Sequence, residues 1–535
     1  MKRSPGLPAS AVLVLFVVAV GGGCNFGQSG IAPPTNRIFL PAGIVADSDE
    51  ALLYVVNSNS DLRFNAGTVV AVDLSRAAST LAQSRVTPDP NLPPPWPPVC
   101  VKTRFSRTEA VTDDYCCRDM IDSNIINCNE PAFIQSNATI EIGSFGGAIQ
   151  LQRYLRDPNV STSEVVRRLF IAVRAEPSIT YADVTVADIP VDGGGTNKVV
   201  SMRCTGRLKH DGSVQPINPF CDDNWKVRRP GGVTPGSLVL PEEPHALAYD
   251  EGLKALYVGH LTVAANSEIQ GGGVSTLDVR DPESESLVRF AGLARTVFIP
   301  AGLSQAVATL SLSPAALSSS PVDCSNPGTR VYATARNSTA IGGVGLFKPL
   351  EACRPLTEER ALTLVPVDNF YSSVFLPRGA DIRGILFSSD QPDYPQAFVL
   401  HRNDSSVPAN PAALVVLDRR LGADGTPDNT PKDVLEVCSG PTSMRMHDAG
   451  RGNRIYITCY DDGQIYVVDP NALVVTSVID VGAGPTSLVF SRQDPGVAYV
   501  ASFVNSHLSV IDLAPGSPTE NHVVLRLGLP HGYGE

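Results

Sequence analysis

The chain has 535 residues, 43% of them apolar, with aromatics at only 6% and a net charge of −12. That apolar share can fill a core, and 44 prolines and 45 glycines suit many short strands joined by turns. The acidic balance without a basic stripe excludes a phosphate-backbone partner, so no nucleic acid is expected.

The N-terminus, "MKRSPGLPASAVLVLFVVAVGGGC", has a basic start at Lys2 and Arg3 and an apolar run from Ala9 to Val20. That run is too short for a comfortable membrane span. Small residues then lead into Cys24. The pattern resembles a bacterial lipoprotein signal, which implies a signal peptide over residues 1–23 and lipidation of Cys24. Gly21 stands where such signals usually carry Leu. An ordinary cleaved secretory signal is the competing reading, and export follows from either. Loss of Lys2 and Arg3 with the signal makes the net charge −14. Asn25 after the cysteine lacks the Asp-type inner-membrane retention signal, which points to an outer-membrane or cell-surface address. Residues 24–40 comprise the lipidated cysteine and a polar Gly/Ser/Pro/Asn tether.

From residue 41 the chain reads as repeated strand–turn units up to about 530. The first unit is "PAGIVADSDEALLYVVNSNSDLRFNAGTVVAVDL" (41–74). An expected insertion over about 75–145 opens with "PDPNLPPPWPPVC", too proline-rich for a central strand. It holds Cys100, Cys116, Cys117 and Cys128, whose pairing the sequence leaves open. A second unit starts near Gly146, and another expected insertion covers about 188–240 with Cys204 and Cys221. The third unit begins "PHALAYDEGLKALYVGH" at 244. Others start near Leu303 and Pro377, and the last two are headed by "GPTSMRM" (440–446) and "GPTSLVF" (484–490). Within those two, "IYITCYDDGQIYVVD" (455–469) and "AYVASFVNSHLSVID" (498–512) repeat forty-three residues apart. Self-similarity at 40–45 residues, all strand and turn, predicts an all-β propeller, and the units number seven.

The units resemble the YVTN-type β-propeller repeat, with a Pro-led inner strand, an "LYVxN" strand and a "VxVID" strand. The resemblance implies four-stranded sheets, here called A to D from the axis outward. The D–A and B–C loops then share one face and the A–B and C–D loops the other. On that topology Cys438 and Cys459 come together, Cys324 and Cys353 share the opposite face, and Cys204 pairs locally with Cys221. An even ten cysteines beyond Cys24 favour disulfides in an oxidising compartment over metal binding.

The end of strand B holds Asn57, Val173, His260, Ala335, His401, Cys459 and Ser502 across the units. His260 and His401 begin the longest B–C loops and are candidate loop-face binding residues, with a polar turn role as the alternative. The start of strand A holds Ala42, His245, Thr442 and Thr486, with Arg378 or Arg383 from the fifth unit. His245, Arg378, Arg383, Thr442 and Thr486 are therefore candidates for binding at the channel mouth. Arg445 sits within a strand at a usually apolar position, and Asp448 or Asp461 is the expected partner. The loop "RLGADGTPDNTPKD" (420–433) has calcium-like acid spacing, but a solvated hairpin explains it. No metal site, cofactor or catalytic motif is expected.

The reading favours an exported, lipid-anchored propeller that binds a protein or glycan partner. A hydrolase resembling the phosphogluconolactonase-type lactonases is the alternative, with His245 as acid/base and Arg378 or Arg383 as anion clamp. A quinone-cofactor dehydrogenase fits less well, because such propellers are Trp-rich and this chain has two Trp.

Overall fold

The computed structural model describes residues 30–47, 49, 51–84, 97, 99–100, 116–155, 165–190, 196–205, 220–228, 240–266, 269–279, 297–298, 307–312, 331–335, 343–351, 362–371, 381–388, 396–402, 411–418 and 430–528. Their strands form seven sheets whose four radial strands pair antiparallel, each sheet entered at its inner strand and left at its outer one. The inner strands are Pro41–Asp47, Gly146–Leu155, Pro244–Asp250, Val307–Leu312, Asp381–Phe387, Pro441–His447 and Pro485–Phe490. Each packs against the next, and the last packs against the first, so the sheets close a ring: a β-propeller.

Radial stacking explains the sequence of strand B. A sheet with neighbours on both faces needs apolar residues on both faces, so alternation disappears. "LLYVVN" (Leu52–Asn57) is buried at every position. The exposed outer strand Val474–Asp480 keeps alternating exposure instead. Three residues before the end of strand B stands an aromatic ring in every sheet: Tyr54, Phe170, Tyr257, Tyr332, Phe398, Tyr456 and Tyr499, all buried. Large flat side chains fill the wedge between twisted sheets with few rotatable bonds to immobilise.

The two expected insertions are narrower than the sequence suggests. Within 75–145, Leu74–Ser84 is a helix, and Ile134–Ile142 is the outer strand of the first sheet. Within 188–240, Thr196–Arg203 is the outer strand of the second sheet, and Lys226–Arg228 pairs with its third. Both outer strands mix polar with apolar residues, "IQSNATIEI" and "TNKVVSMR", which makes them hard to tell from loops in the sequence.

The rest of the first insertion crosses to the seventh sheet. Its hairpin Cys116–Arg118/Ile126–Cys128 adds two strands there, Ile126–Cys128 pairing in parallel with His522–Leu527. Disulfides Cys100–Cys117 and Cys116–Cys128 staple this hairpin. Cys204–Cys221 and Cys438–Cys459 also form, as expected. Cys24, Cys324 and Cys353 lie outside the described residues. Four disulfides among the described residues indicate an oxidising, extracytoplasmic setting. No described helix is long and apolar enough to cross a membrane.

Candidate functional site

A single backbone irregularity organises the inner end of every sheet. Pairing between strands A and B slips in the first residues of each inner strand, between Pro41 and Gly43, Gly146 and Ile149, Pro244 and Ala246, Val307 and Thr309, Ile382 and Gly384, Pro441 and Ser443, and Pro485 and Ser487. A bulge re-aims the side chain it carries. The bulged residues include Ala42, His245, Arg383, Thr442 and Thr486, the same ring read from the sequence. Arg383 takes this place in the fifth sheet, and Arg378 lies outside the described residues.

Two of these groups tie neighbouring sheets together. Thr442 donates from Oγ1 to the carbonyl of Pro485 at 2.8 Å, and Thr486 donates to Pro41 at 3.1 Å. Each threonine ties its sheet to the next inner strand, and Thr486 does so across the closure of the ring. Arg383 pairs with Asp381 two residues earlier. His245 sits half-buried on the third bulge.

The strand-B slot also turns inward, which corrects the loop-face reading of His260 and His401. Both are buried, at 0% and 1% exposure. His260 contacts the Glu242 carbonyl through Nδ1 at 3.0 Å and Ser275 Oγ through Nε2 at 2.9 Å. Asn57 does the same work in the first sheet: its amide donates to the Arg37 carbonyl at 3.0 Å and to Thr68 Oγ1 at 2.8 Å. Its oxygen accepts from Phe39 N–H at 3.1 Å. In the sixth sheet Cys459 makes the link covalently to Cys438, and in the seventh Ser502 donates to the Val481 carbonyl at 3.2 Å. Four chemistries thus perform one task, tying the end of strand B to the chain that enters strand A. Among the described residues the ring nitrogens of His401 have no hydrogen-bond partner, and the entering chain over 372–380 lies outside the described residues. Burial lowers the His260 pKa to about 4 and that of His401 to about 3, so both stay neutral near pH 7.

Arg445 departs from expectation in the other direction. Asp461 pairs with Arg402 at 3.5 Å, and Asp448 accepts the Gly450 and Gly452 N–H groups at 2.7 and 2.9 Å. Neither neutralises Arg445, whose hydrogen bond is to the Met444 carbonyl at 3.1 Å. Water reaches this exposed side chain, yet protein crowds it enough for desolvation to lower its pKa. The open access keeps it a cation. It lines a cavity of about 400 Å³ with His447, Val489, Phe490, Ser491, Arg492 and Pro495, where two inner strands run into their A–B turns. The His447 and Phe490 rings stack at 4.0 Å and 6°, and His447 Nε2 donates to the Pro495 carbonyl at 2.6 Å. His447, Phe490 and Arg492 carried no sequence signal, because their importance lies in meeting across two sheets.

No group of three or more His, Cys, Asp or Glu among the described residues is arranged to hold a metal. Most of the acidic loop 420–433 lies outside the described residues.

No family model matches the chain, and no curated protein does. Solved structures similar to it include two proteins named as candidate 6-phosphogluconolactonases. The one from Bacteroides uniformis is 11% identical, with 83% of this chain and 86% of that one covered at a TM-score of 0.42. The one from Bacteroides fragilis is 11% identical, with 84% and 86% covered at 0.42. A functionally unknown protein from Desulfotomaculum acetoxidans is 9% identical, with 75% and 95% covered at 0.38. These values are too low to carry chemistry from one chain to another.

Proposed function

We propose that this chain is an exported binding module, anchored through a lipid on Cys24 and built from YVTN-type propeller repeats, one to each sheet. The observation that carries the binding role is a β-ribbon on the third sheet. There strands B and C run past the blade, pairing on from His260–Gly273 through Val263–Gly271 to Asn266–Ile269. In the sixth sheet the same connection is a tight turn between Cys459 and Gln464. A two-stranded extension beyond the pairing of the inner strand offers backbone edges to an added strand, which suits a protein partner. The residues that first suggest chemistry support binding over catalysis, since Thr442, Thr486, His260 and Cys459 are occupied in joining strands.

Replacing Thr262–Gly271 by Asn-Gly tests the proposal, because that dipeptide closes a two-residue hairpin. Crosslinking on intact cells followed by identification should lose the captured protein in this variant, while the thermal midpoint stays within a few degrees. An unchanged capture profile refutes the role of the ribbon.

The alternative, a lactonase-like hydrolase, draws on His245 and Arg383 occupying equivalent bulges at one end of the inner strands. Turnover in a lactone panel that His245→Ala abolishes would support it instead.

A further inference from the structure

The cavity between the sixth and seventh inner strands is a concentration of positive charge in an acidic chain. Its walls contain two arginines, Arg445 and Arg492, and no carboxylate. Neither guanidinium makes an ion pair among the described residues. The acids nearest in sequence are held elsewhere: Asp448 caps its own turn, and Asp494 accepts the Gly496 N–H at 2.9 Å. Two guanidiniums lining one cavity with no carboxylate in its walls leave a local excess of positive charge that an anion neutralises. Arginine presents parallel N–H donors that match the two oxygens of a carboxylate.

The remaining walls select the body of the ligand. Val489, Phe490 and Pro495 are apolar, and the parallel His447–Phe490 stack offers a flat aromatic surface. A volume of about 400 Å³ accommodates one ring with its carboxylate. The net charge of −12 opposes a doubly charged ligand more than a singly charged one.

We propose that Arg445 and Arg492 form a binding site for a small aromatic monocarboxylate, its carboxylate between the guanidiniums and its ring against Phe490 and His447. The site lies at the A–B end of the inner strands, on the face opposite the ribbon, and stands independently of it.

Benzoate is a suitable probe, with inorganic phosphate and benzylamine as comparisons, in isothermal titration calorimetry on the full-length protein. Benzoate should bind saturably, and more weakly as salt is raised. Arg445→Gln should weaken it at least tenfold. Arg492→Gln, at an exposed position whose loss leaves the fold intact, should do the same. Benzylamine should not bind, and phosphate should bind at least tenfold more weakly than benzoate. Absence of saturable benzoate binding overturns the proposal, as does equal binding by wild type and Arg492→Gln. Phosphate binding as tight as benzoate overturns the carboxylate assignment.

Discussion

At the scale of single residues, the end of strand B shows how one position tolerates unrelated side chains. The requirement is a group that reaches from strand B to the chain entering strand A, and Asn57, His260, Cys459 and Ser502 all meet it. Sequence reading found the position but misjudged the direction of its histidines, because a period-two pattern says little about side chains at a strand end. The inward placement has a pH consequence. A histidine buried neutral has its folded pKa below the unfolded value of about 6.5. Between that value and about 4 the unfolded chain takes up a proton at His260 that the folded chain refuses. Stability therefore falls as pH drops from 6.5 towards 4, and this site is silent above 6.5. The full effect is on the order of 3 kcal/mol. His260→Asn, which borrows the geometry of Asn57, should flatten that acid limb. Urea-unfolding midpoints of the variant and wild type at pH 7 and pH 4.5 check this, and equal acid losses would count against it.

At the scale of elements, the sixth sheet shows what a covalent link does in the same slot. Cys438–Cys459 joins residues 21 apart in sequence, and closing a loop of that size stabilises by roughly 3 kcal/mol in the chain-entropy model. The double variant Cys438→Ala/Cys459→Ala should lower the unfolding free energy by about that amount. Calorimetric midpoints with and without reductant measure it, and reductant should then have less effect on the variant. The pair was legible in the sequence, since the last two units are similar enough to align Cys438 with Gly482 and Cys459 with Ser502. The outer strands were not legible to the same degree. Ile134–Ile142 and Thr196–Arg203 each hide in a stretch that resembles an insertion, because polar residues such as Gln135, Asn137 and Glu141, or Asn197, Lys198 and Ser201, interrupt their apolar pattern.

At the scale of the whole molecule, the question is how the ring closes. The seventh sheet draws its four radial strands from one run of chain, residues 485–527, and among the described residues the strands it takes from elsewhere are Cys116–Arg118 and Ile126–Cys128. Closure rests on the Thr486–Pro41 bond, on Leu40 N–H donating to Ser506 Oγ at 3.1 Å, and on the stapled hairpin from the first sheet. That hairpin shares one core with both ends of the ring, including Leu53 and Val55 from the first sheet and Val510 and Leu525 from the seventh. It works as a clasp. Cys116→Ala/Cys128→Ala should loosen this seam ahead of the others, and hydrogen exchange reads the effect directly. Amides of His522–Leu527 should lose protection while those of the fifth and sixth sheets keep theirs. Uniform loss, or none, would contradict the clasp.

The sequence by itself determined the propeller class, the strand order within a unit, the ring of residues at the start of strand A and the Cys438–Cys459 pair. Each follows from local periodicity repeated along the chain, and repetition averages out the ambiguity of any one strand. The stretch "IYITCYDDGQIYVVD" is legible for that reason, its two tyrosines in strands and Asp461 to Gly463 between them. Only the tertiary structure decided which way His260 and His401 face, where the hairpin Cys116–Cys128 docks, and that Arg445 has Arg492 rather than an acid for company. These depend on contacts between residues of different sheets. No pattern along one strand records its neighbour, so they exist only once the ring has closed.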